Sequence, residues 1–473
     1  MADDAVHGRR SVDRALAGHL EGRVRRLHFV GIGGVGMSGI AQILVNLGYK
    51  VSGSDLKATE LTRRLAAAGA RIHAGHKASN IRGAEVVVVS SAVSPANPEV
   101  AAARKAGIPV VPRGEMLAEL ARLKKTVTVA GTHGKTTTTA MTAMALRGAG
   151  ADPTVIVGGQ VADLGSNARV GLGEFLVAEA DESDGSFMRL APLAAVVTNI
   201  DDDHLDHYGS MAELKKAFLS YLHGLPFYGA AVLCSDDPGV RSILPKVDRR
   251  VITYGLKPGA EWQGKVLDGR RVEVLHKGRR VGTLTLKLWG RHNAQNALAA
   301  VVVSDFLGLN VAKAMAGLSA FRGVGRRMEL LGEGAGIVFL DDYGHHPTEA
   351  AATLEAVRSA YPDRRLVVAF QPHRYSRTKA LHRAFGPALR RADLVFVMDI
   401  YPAGEKPMPG VSSRLILDAL KRARVPAAPY TRTLDLAREL RRGDVVLTLG
   451  AGDVWKVGAD LLRRAQSSTL TLV

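Results

Sequence analysis

Val127-Thr-Val-Ala-Gly131-Thr132-His133-Gly134-Lys135-Thr136-Thr137-Thr138 is an apolar, β-branched run that breaks into a glycine turn and then into a lysine and three threonines. The order predicts a strand, a phosphate-cradling loop and a helix N-terminus, the repeating unit of an α/β fold with a parallel sheet. Backbone N–H groups of such a loop and the positive end of the helix face anionic phosphates. Lys135 is expected to reach the β/γ oxygens, and the Thr136 hydroxyl stands where such loops ligate Mg²⁺. The ligand this predicts is ATP or GTP. One position departs from the usual G-x-x-x-x-G-K-[ST] pattern, because Val129 stands where its first glycine belongs.

Upstream lies a second glycine loop. Leu27-His-Phe-Val30 reads as a strand and runs into Gly31-Ile-Gly33-Gly34-Val-Gly36-Met37-Ser38, then into an apolar helix. A further strand ends at Asp55, nineteen positions beyond Gly36, where a dinucleotide-binding unit carries its ribose carboxylate. Taken alone, this is an NAD fingerprint. Strands expected at Val86–Ser90 and Pro109–Val111 extend a parallel sheet, and strand and helix alternate again from about Arg326 onward.

Acidic clusters fall at predicted strand ends, the edge on which α/β sheets hold their ligands. Glu179, Asp181, Glu182 and Asp184 place four carboxylates within six positions, and Asp201-Asp202-Asp203-His204 follows the next strand. Crowded carboxylates repel unless cations neutralise them, and hard oxygen ligands beside phosphates suit Mg²⁺. His204 can add a nitrogen ligand. Downstream, His292, Asn293 and Asn296 open an alanine-rich helix, where the amides can read an adenine edge or cap the helix. Arg326-Arg327 marks a domain boundary from which an arginine can reach a phosphate. Two further polar loops, Asp341-Asp-Tyr343-Gly-His345-His-Pro and Gln371-Pro-His-Arg374-Tyr-Ser-Arg377-Thr, follow neighbouring strands and suit a carboxylate-bearing substrate. Neither has the spacing of a zinc motif.

Composition sets the frame. At ~150 residues per domain, 473 residues predict about three domains. A hydrophobic fraction of 47% with 23% charged is ordinary for a soluble globular chain, and no uncharged run approaches the ~18 residues of a membrane span. One cysteine, Cys234, and an acidic N-terminus without an apolar core fit a cytoplasmic protein. The net charge of +18 suggests anionic partners, but aromatics are only 5% and the arginines lie in short clusters, which argues against nucleic acid.

These motifs, in this order from about residue 27 to 455 and ending in Gly450-Ala-Gly-Asp453, resemble the Mur ligases of peptidoglycan synthesis. The resemblance implies three domains: a Rossmann-like domain over 24–123 for a UDP-sugar, a central P-loop domain over 124–325 for ATP and Mg²⁺, and a Rossmann-like C-terminal domain over 326–473 for an amino acid, with 1–23 as an extension. It makes the first glycine loop a UDP site (Gly31, Gly33, Gly34, Gly36, Met37, Ser38, with Asp55 and His76) and the second an ATP site (Gly131, Thr132, His133, Gly134, Lys135, Thr136, Thr137, with His292, Asn293, Asn296 and Arg327). Thr136, Glu179 and His204 become the ligands of two Mg²⁺ ions. Lys135, Glu179, His204 and Arg327 carry catalysis, and Tyr343, His345, Arg374 and Arg377 receive the amino acid and carboxylates. The branch implied joins L-alanine to UDP-N-acetylmuramate through an acyl phosphate, in a monomer or homodimer that inserts in no membrane. A recycling ligase that attaches a murein tripeptide is the alternative within the family, and an NAD-dependent oxidoreductase the alternative outside it. Later-step relatives carry a carbamylated lysine in the helix after Asp203-His204, but Lys215 and Lys216 fall short of that spacing, so no modified lysine is expected.

Overall fold

The computed structural model describes residues 24–90, 92–183 and 185–467; the extension expected at 1–23, and Asp184, lie outside the described residues. β1 (Arg26–Val30), β2 (Lys50–Asp55), β3 (Arg71–Ala74), β4 (Val86–Val89) and β5 (Val110–Pro112) form an all-parallel sheet in the order β3-β2-β1-β4-β5. Strands buried on both faces must be apolar throughout. Accordingly Leu27, Phe29, Val30, Val87 and Val88 have no exposed surface. The order reverses between β1 and β4, which opens a crevice at their C-terminal ends, and the Gly31 loop sits there.

A ten-stranded sheet follows. β6 (Lys125–Ala130), β7 (Thr154–Val161), β8 (Ser166–Arg169), β9 (Phe175–Glu179), β10 (Ala194–Val197), β11 (Ala230–Cys234), β12 (Val251–Gly255), β13 (Trp262–Val266), β14 (Arg271–His276) and β15 (Arg279–Thr285) lie in the order β15-β14-β13-β12-β11-β10-β6-β9-β7-β8. β6 runs parallel between β9 and β10, so the ends of all three strands share one edge. β8 is antiparallel to β7, a hairpin the sequence reading did not expect. The helix Lys135–Gly148 packs on Val311–Ala320 through glycines, since a Cβ on Gly148 would fall 2.6 Å from Gly317 Cα. That approach fixes the phosphate-loop helix.

The third sheet holds β16 (Glu329–Gly334), β17 (Ile337–Asp342), β18 (Leu366–Phe370), β19 (Leu394–Val397), β20 (Ala427–Pro429) and β21 (Val445–Leu449), in the order β16-β17-β21-β18-β19-β20. All are parallel except β16, which forms an antiparallel hairpin with β17. Contacts divide the chain into two compact units. One takes the first two sheets, and the other takes the third sheet together with 266–271 and 286–294.

Candidate active site

The loop after β6 is lashed to the end of β10. His133 N donates to Asn199 Oδ1 at 2.7 Å and Thr132 N to Asn199 O at 3.1 Å, while Thr198 Oγ1 and Asn199 Nδ2 both donate to His133 O. Gly131 (φ +125°) and Gly134 (φ +78°) hold left-handed conformations, and a Cβ on Gly131 would strike Thr198 Oγ1 at 2.2 Å. Only glycine suits both positions. Gly134 caps the helix that begins at Lys135, beside the side chain of buried Asn296.

Lys135 is 12% exposed and its Nζ donates to Gly131 O (2.7 Å), Thr132 O (3.2 Å) and Glu182 Oε1 (2.8 Å). Burial opposes its charge, but Glu182, Asp181 and Glu179 outweigh that and raise its pKa. Glu182 is fully buried. Desolvation, only partly offset by Lys135, pushes its carboxyl up to about 7, and its Oε2 has no hydrogen-bond partner. The sequence places Glu182 in the carboxylate cluster but gives it no site role, because nothing in a linear cluster says which carboxylate meets the lysine. Glu179 Oε2 accepts from Thr136 Oγ1 (3.0 Å) and Gly158 N (2.8 Å), so Thr136 and Glu179 stand together as expected. His204 has φ +58°, with Nε2 3.8 Å from Glu182 Oε1. Thr136 and Glu179 offer adjoining hard oxygens, and Glu182 a buried carboxylate oxygen without a hydrogen-bond partner, the donor types that a divalent cation takes.

The first glycine loop is held by β2. Gly31 N and Ile32 N donate to Ser54 O, and Gly33 N to Asp55 Oδ2 at 2.8 Å. Asp55 Oδ1 accepts from Lys57 N, so this carboxylate is engaged with backbone where an NAD site would offer it to a ribose. Met37 is turned into the core, and the hydroxyl of buried Ser38 donates to Val35 O. Those two side chains serve the helix. Gly36 lies under Arg113, whose Nη2 approaches Asp181 Oδ2 at 3.4 Å. A cavity of about 230 Å³ within the first unit runs from Val35, Gly36 and Arg113 to Gly158, Glu179 and Asp181, from the end of the first glycine loop to the carboxylates at the end of β9. Arg113 was not anticipated, because its place over Gly36 is a tertiary contact.

In the second unit, Tyr343 and His345 follow β17, with ring centroids 5.5 Å apart. His345 also neighbours His373, at 5.5 Å, and Arg377 Nη1 donates to His373 Nδ1 at 3.2 Å. Burial first, then the adjacent His345, Arg377 and Arg374, push His373 down to about 3, so it is a neutral acceptor for Arg377. Arg374 has φ +68° and a buried Nε without a hydrogen-bond partner, a cation suited to a carboxylate. Glu349 ties the loop by accepting from His345 N, His346 N and Arg327 Nη1. Arg327 also lies over the Tyr343 ring at 5.1 Å. Its neighbour Arg326 is engaged with Asp341 Oδ2, Gly450 O and Gly452 O. His292 is pushed down to about 4 by burial and then by Arg327, and Asn293 Nδ2 donates to Trp289 O.

Three family models match consecutive stretches: the Mur ligase family catalytic domain at 26–125, the Mur ligase middle domain at 129–304, and the Mur ligase glutamate ligase domain at 326–452. A UDP-N-acetylmuramate–L-alanine ligase of Endomicrobium trichonymphae is 52% identical over 442 residues, covering 93% of this chain and 98% of its own. The crystal structure of a UDP-N-acetylmuramate–alanine ligase from Thermotoga maritima superposes with a TM-score of 0.80 at 32% identity, covering 94% of this chain and 99% of its own. A murein peptide ligase from Psychrobacter arcticus shares the fold, with a TM-score of 0.70 at 24% identity over 93% of this chain and 98% of its own. No described helix is long and apolar enough to cross a membrane.

Proposed function

The chain belongs to the Mur ligase family, and from that premise we infer that it is an ADP-forming ligase joining L-alanine to the carboxylate of UDP-N-acetylmuramate in cytoplasmic peptidoglycan precursor synthesis. One constellation carries the reading: Lys135, Thr136, Glu179 and Glu182 gathered at the β6 and β9 ends, where Glu179 also lines a cavity that reaches Gly36 of the first glycine loop. A carboxylate does not condense with an amine until its oxygen becomes a leaving group. ATP supplies that by transferring its γ-phosphoryl to the lactoyl carboxylate; the amine of alanine then attacks the acyl phosphate carbon and phosphate departs.

Lys135 meets the charge that develops on the phosphoryl oxygens, and the helix it opens adds its N-terminal field. Thr136 and Glu179 would hold one Mg²⁺ and His204 a second, and the bound ions would neutralise phosphate charge. Arg327 adds a cation for the phosphates, with His292, Asn293 and Asn296 assigned to the adenine. Tyr343, His345, Arg374 and Arg377 receive alanine and its carboxylate. The Gly31 loop, with Asp55 and His76 behind it, takes the UDP moiety. Tripeptide recycling is the weaker alternative, since the relative that is 52% identical over 93% of this chain is an L-alanine ligase.

The test incubates purified protein with UDP-N-acetylmuramate, ATP and, separately, alanine, serine, glycine and the tripeptide, following phosphate release and product mass. Alanine should give the fastest turnover. Preferred use of the tripeptide, or a tight NAD isotherm with no binding of UDP-N-acetylmuramate, would overturn the reading.

A further inference from the structure

Glu99 lies in the first turn of the helix Pro98–Lys105 and has no exposed surface. Ser54 Oγ donates to its Oε2 at 2.5 Å, Asn80 Nδ2 to its Oε1 at 2.5 Å, and His76 Nδ1 stands 3.0 Å from Oε2. His28 Nε2 is 3.7 Å from Oε1. Burying a carboxylate is costly unless its oxygens are hydrogen-bonded, and here both are, with the helix N-terminus adding a favourable field. Burial works against the charge, but His28, Ser54 and Asn80 overcome it and hold the carboxyl down at about 2. Glu99 is therefore ionised and can only accept.

That fixes the neighbouring imidazole. Ser54 Oγ is also 2.9 Å from His76 Nδ1, but its proton goes to Glu99. Nδ1 faces a carboxylate and a hydroxyl whose hydrogen is committed, so Nδ1 must carry the proton. The other nitrogen, Nε2, has no hydrogen-bond partner among the described residues, and the side chain is 16% exposed. In its neutral form the ring thus presents Nε2 as a bare acceptor. The same short segment holds the glycine loop: Ser54 O accepts from Gly31 N and Ile32 N, Asp55 Oδ2 from Gly33 N, and Asp55 O from Gly75 N next to His76. His76 and the loop therefore share one strand end.

We propose that Glu99 is a positioning residue of the nucleotide subsite, which holds His76 as an Nε2 acceptor and so selects uracil, whose N3–H donates, over cytosine, whose N3 accepts. The inference rests on the assignment of the Gly31 loop and His76 to the UDP moiety. Two acceptors facing one another leave a buried lone pair unpaired, a mismatch that discriminates more sharply than a missing contact.

Calorimetric titration with UDP and CDP, on the full chain and on Glu99→Gln, His76→Ala and the double variant, tests it. The unaltered protein should prefer UDP by roughly tenfold or more. Either single change should bring that ratio near one and raise KM for the uridine substrate about tenfold while KM for ATP moves less than about twofold. The double variant should be no worse than His76→Ala, because Glu99 acts through that ring. The ¹⁵N spectrum of the unaltered protein should show a protonated Nδ1 on His76, a readout that stands even where Glu99→Gln fails to fold. An Nε2–H tautomer, or an unchanged UDP to CDP ratio in both single variants, would overturn the proposal. A protein that binds neither nucleotide would instead remove the UDP-site assignment beneath it.

Discussion

Lys135 is the residue on which chemistry and stability meet. Its ammonium neutralises a fully buried carboxylate, Glu182, and on the proposed reading it is also the cation that meets the γ-phosphoryl. Lys135→Ala should therefore lower kcat on the order of 10³-fold or more, as for other major charge stabilisers of phosphoryl transfer. Affinity for the UDP substrate should stay within about twofold, because the Gly31 loop proposed for it follows the first sheet. A phosphate-release assay paired with UDP-substrate titration checks both halves, and appreciable residual turnover would remove the role. A companion change, Lys135→Ala with Glu182→Gln, should recover stability without recovering turnover, since it removes the stranded charge but not the need for a cation. Thermal unfolding of the two variants side by side separates the effects.

At the scale of elements, the loops owe their shape to backbone that only glycine tolerates. Gly134→Ala must hold a Cβ at φ +78°, 3.1 Å from Asn296 Oδ1. The left-handed strain alone costs about 1–2 kcal/mol, and urea unfolding should register at least that, with KM for ATP raised. The helix Arg291–Phe306 makes a second case. His292 sits in its first turn, where a positive charge opposes the helix field, and its pKa is pushed down to about 4 by burial and Arg327. A base whose folded pKa lies below its unfolded value of about 6.5 binds more protons when unfolded. Its contribution is therefore intact above about pH 6.5 and lost as pH falls toward 4. The loss is at most about 3 kcal/mol, and less by the amount that water reaches the ring. His292→Gln should flatten that part of the stability profile relative to the unaltered protein, and an identical slope in both would remove His292 as its source. These elements also show what a linear sequence makes legible. Both glycine loops, most of the parallel strands and the carboxylates at strand ends were readable, because periodicity and turn chemistry are local. The pairing of Lys135 with Glu182, of Gly36 with Arg113 and of His76 with Glu99 was not, because each joins residues on different elements. The β7–β8 and β16–β17 hairpins were missed for a related reason: their short edge strands, Ser166–Arg169 and Glu329–Gly334, are too polar to carry an apolar run.

For the whole molecule, the division of labour between the two compact units makes a kinetic prediction. The Gly131–Lys135 loop, the carboxylates at the end of β9 and the Gly31 loop all belong to the first unit, whereas His345, His373, Arg374 and Arg377 belong to the second. If the second unit's arginines serve the incoming amino acid, damage there should separate from damage at the nucleotide. Arg377 is the sharper probe, because its guanidinium donates to the neutral His373 through Nη1, which orients the group beside His345 and Arg374. A lysine keeps the charge but cannot hold both contacts from one planar fork. Arg377→Lys should therefore raise KM for alanine more than KM for ATP, with kcat/KM for alanine falling roughly tenfold to a hundredfold, the 1.5–3 kcal/mol of a lost charge-assisted hydrogen bond. Steady-state kinetics with each substrate varied in turn checks it. Unchanged alanine kinetics, with affinity for ATP or the UDP substrate lost instead, would move the Gln371–Thr378 loop to another ligand and leave the amino acid to Tyr343 and His345.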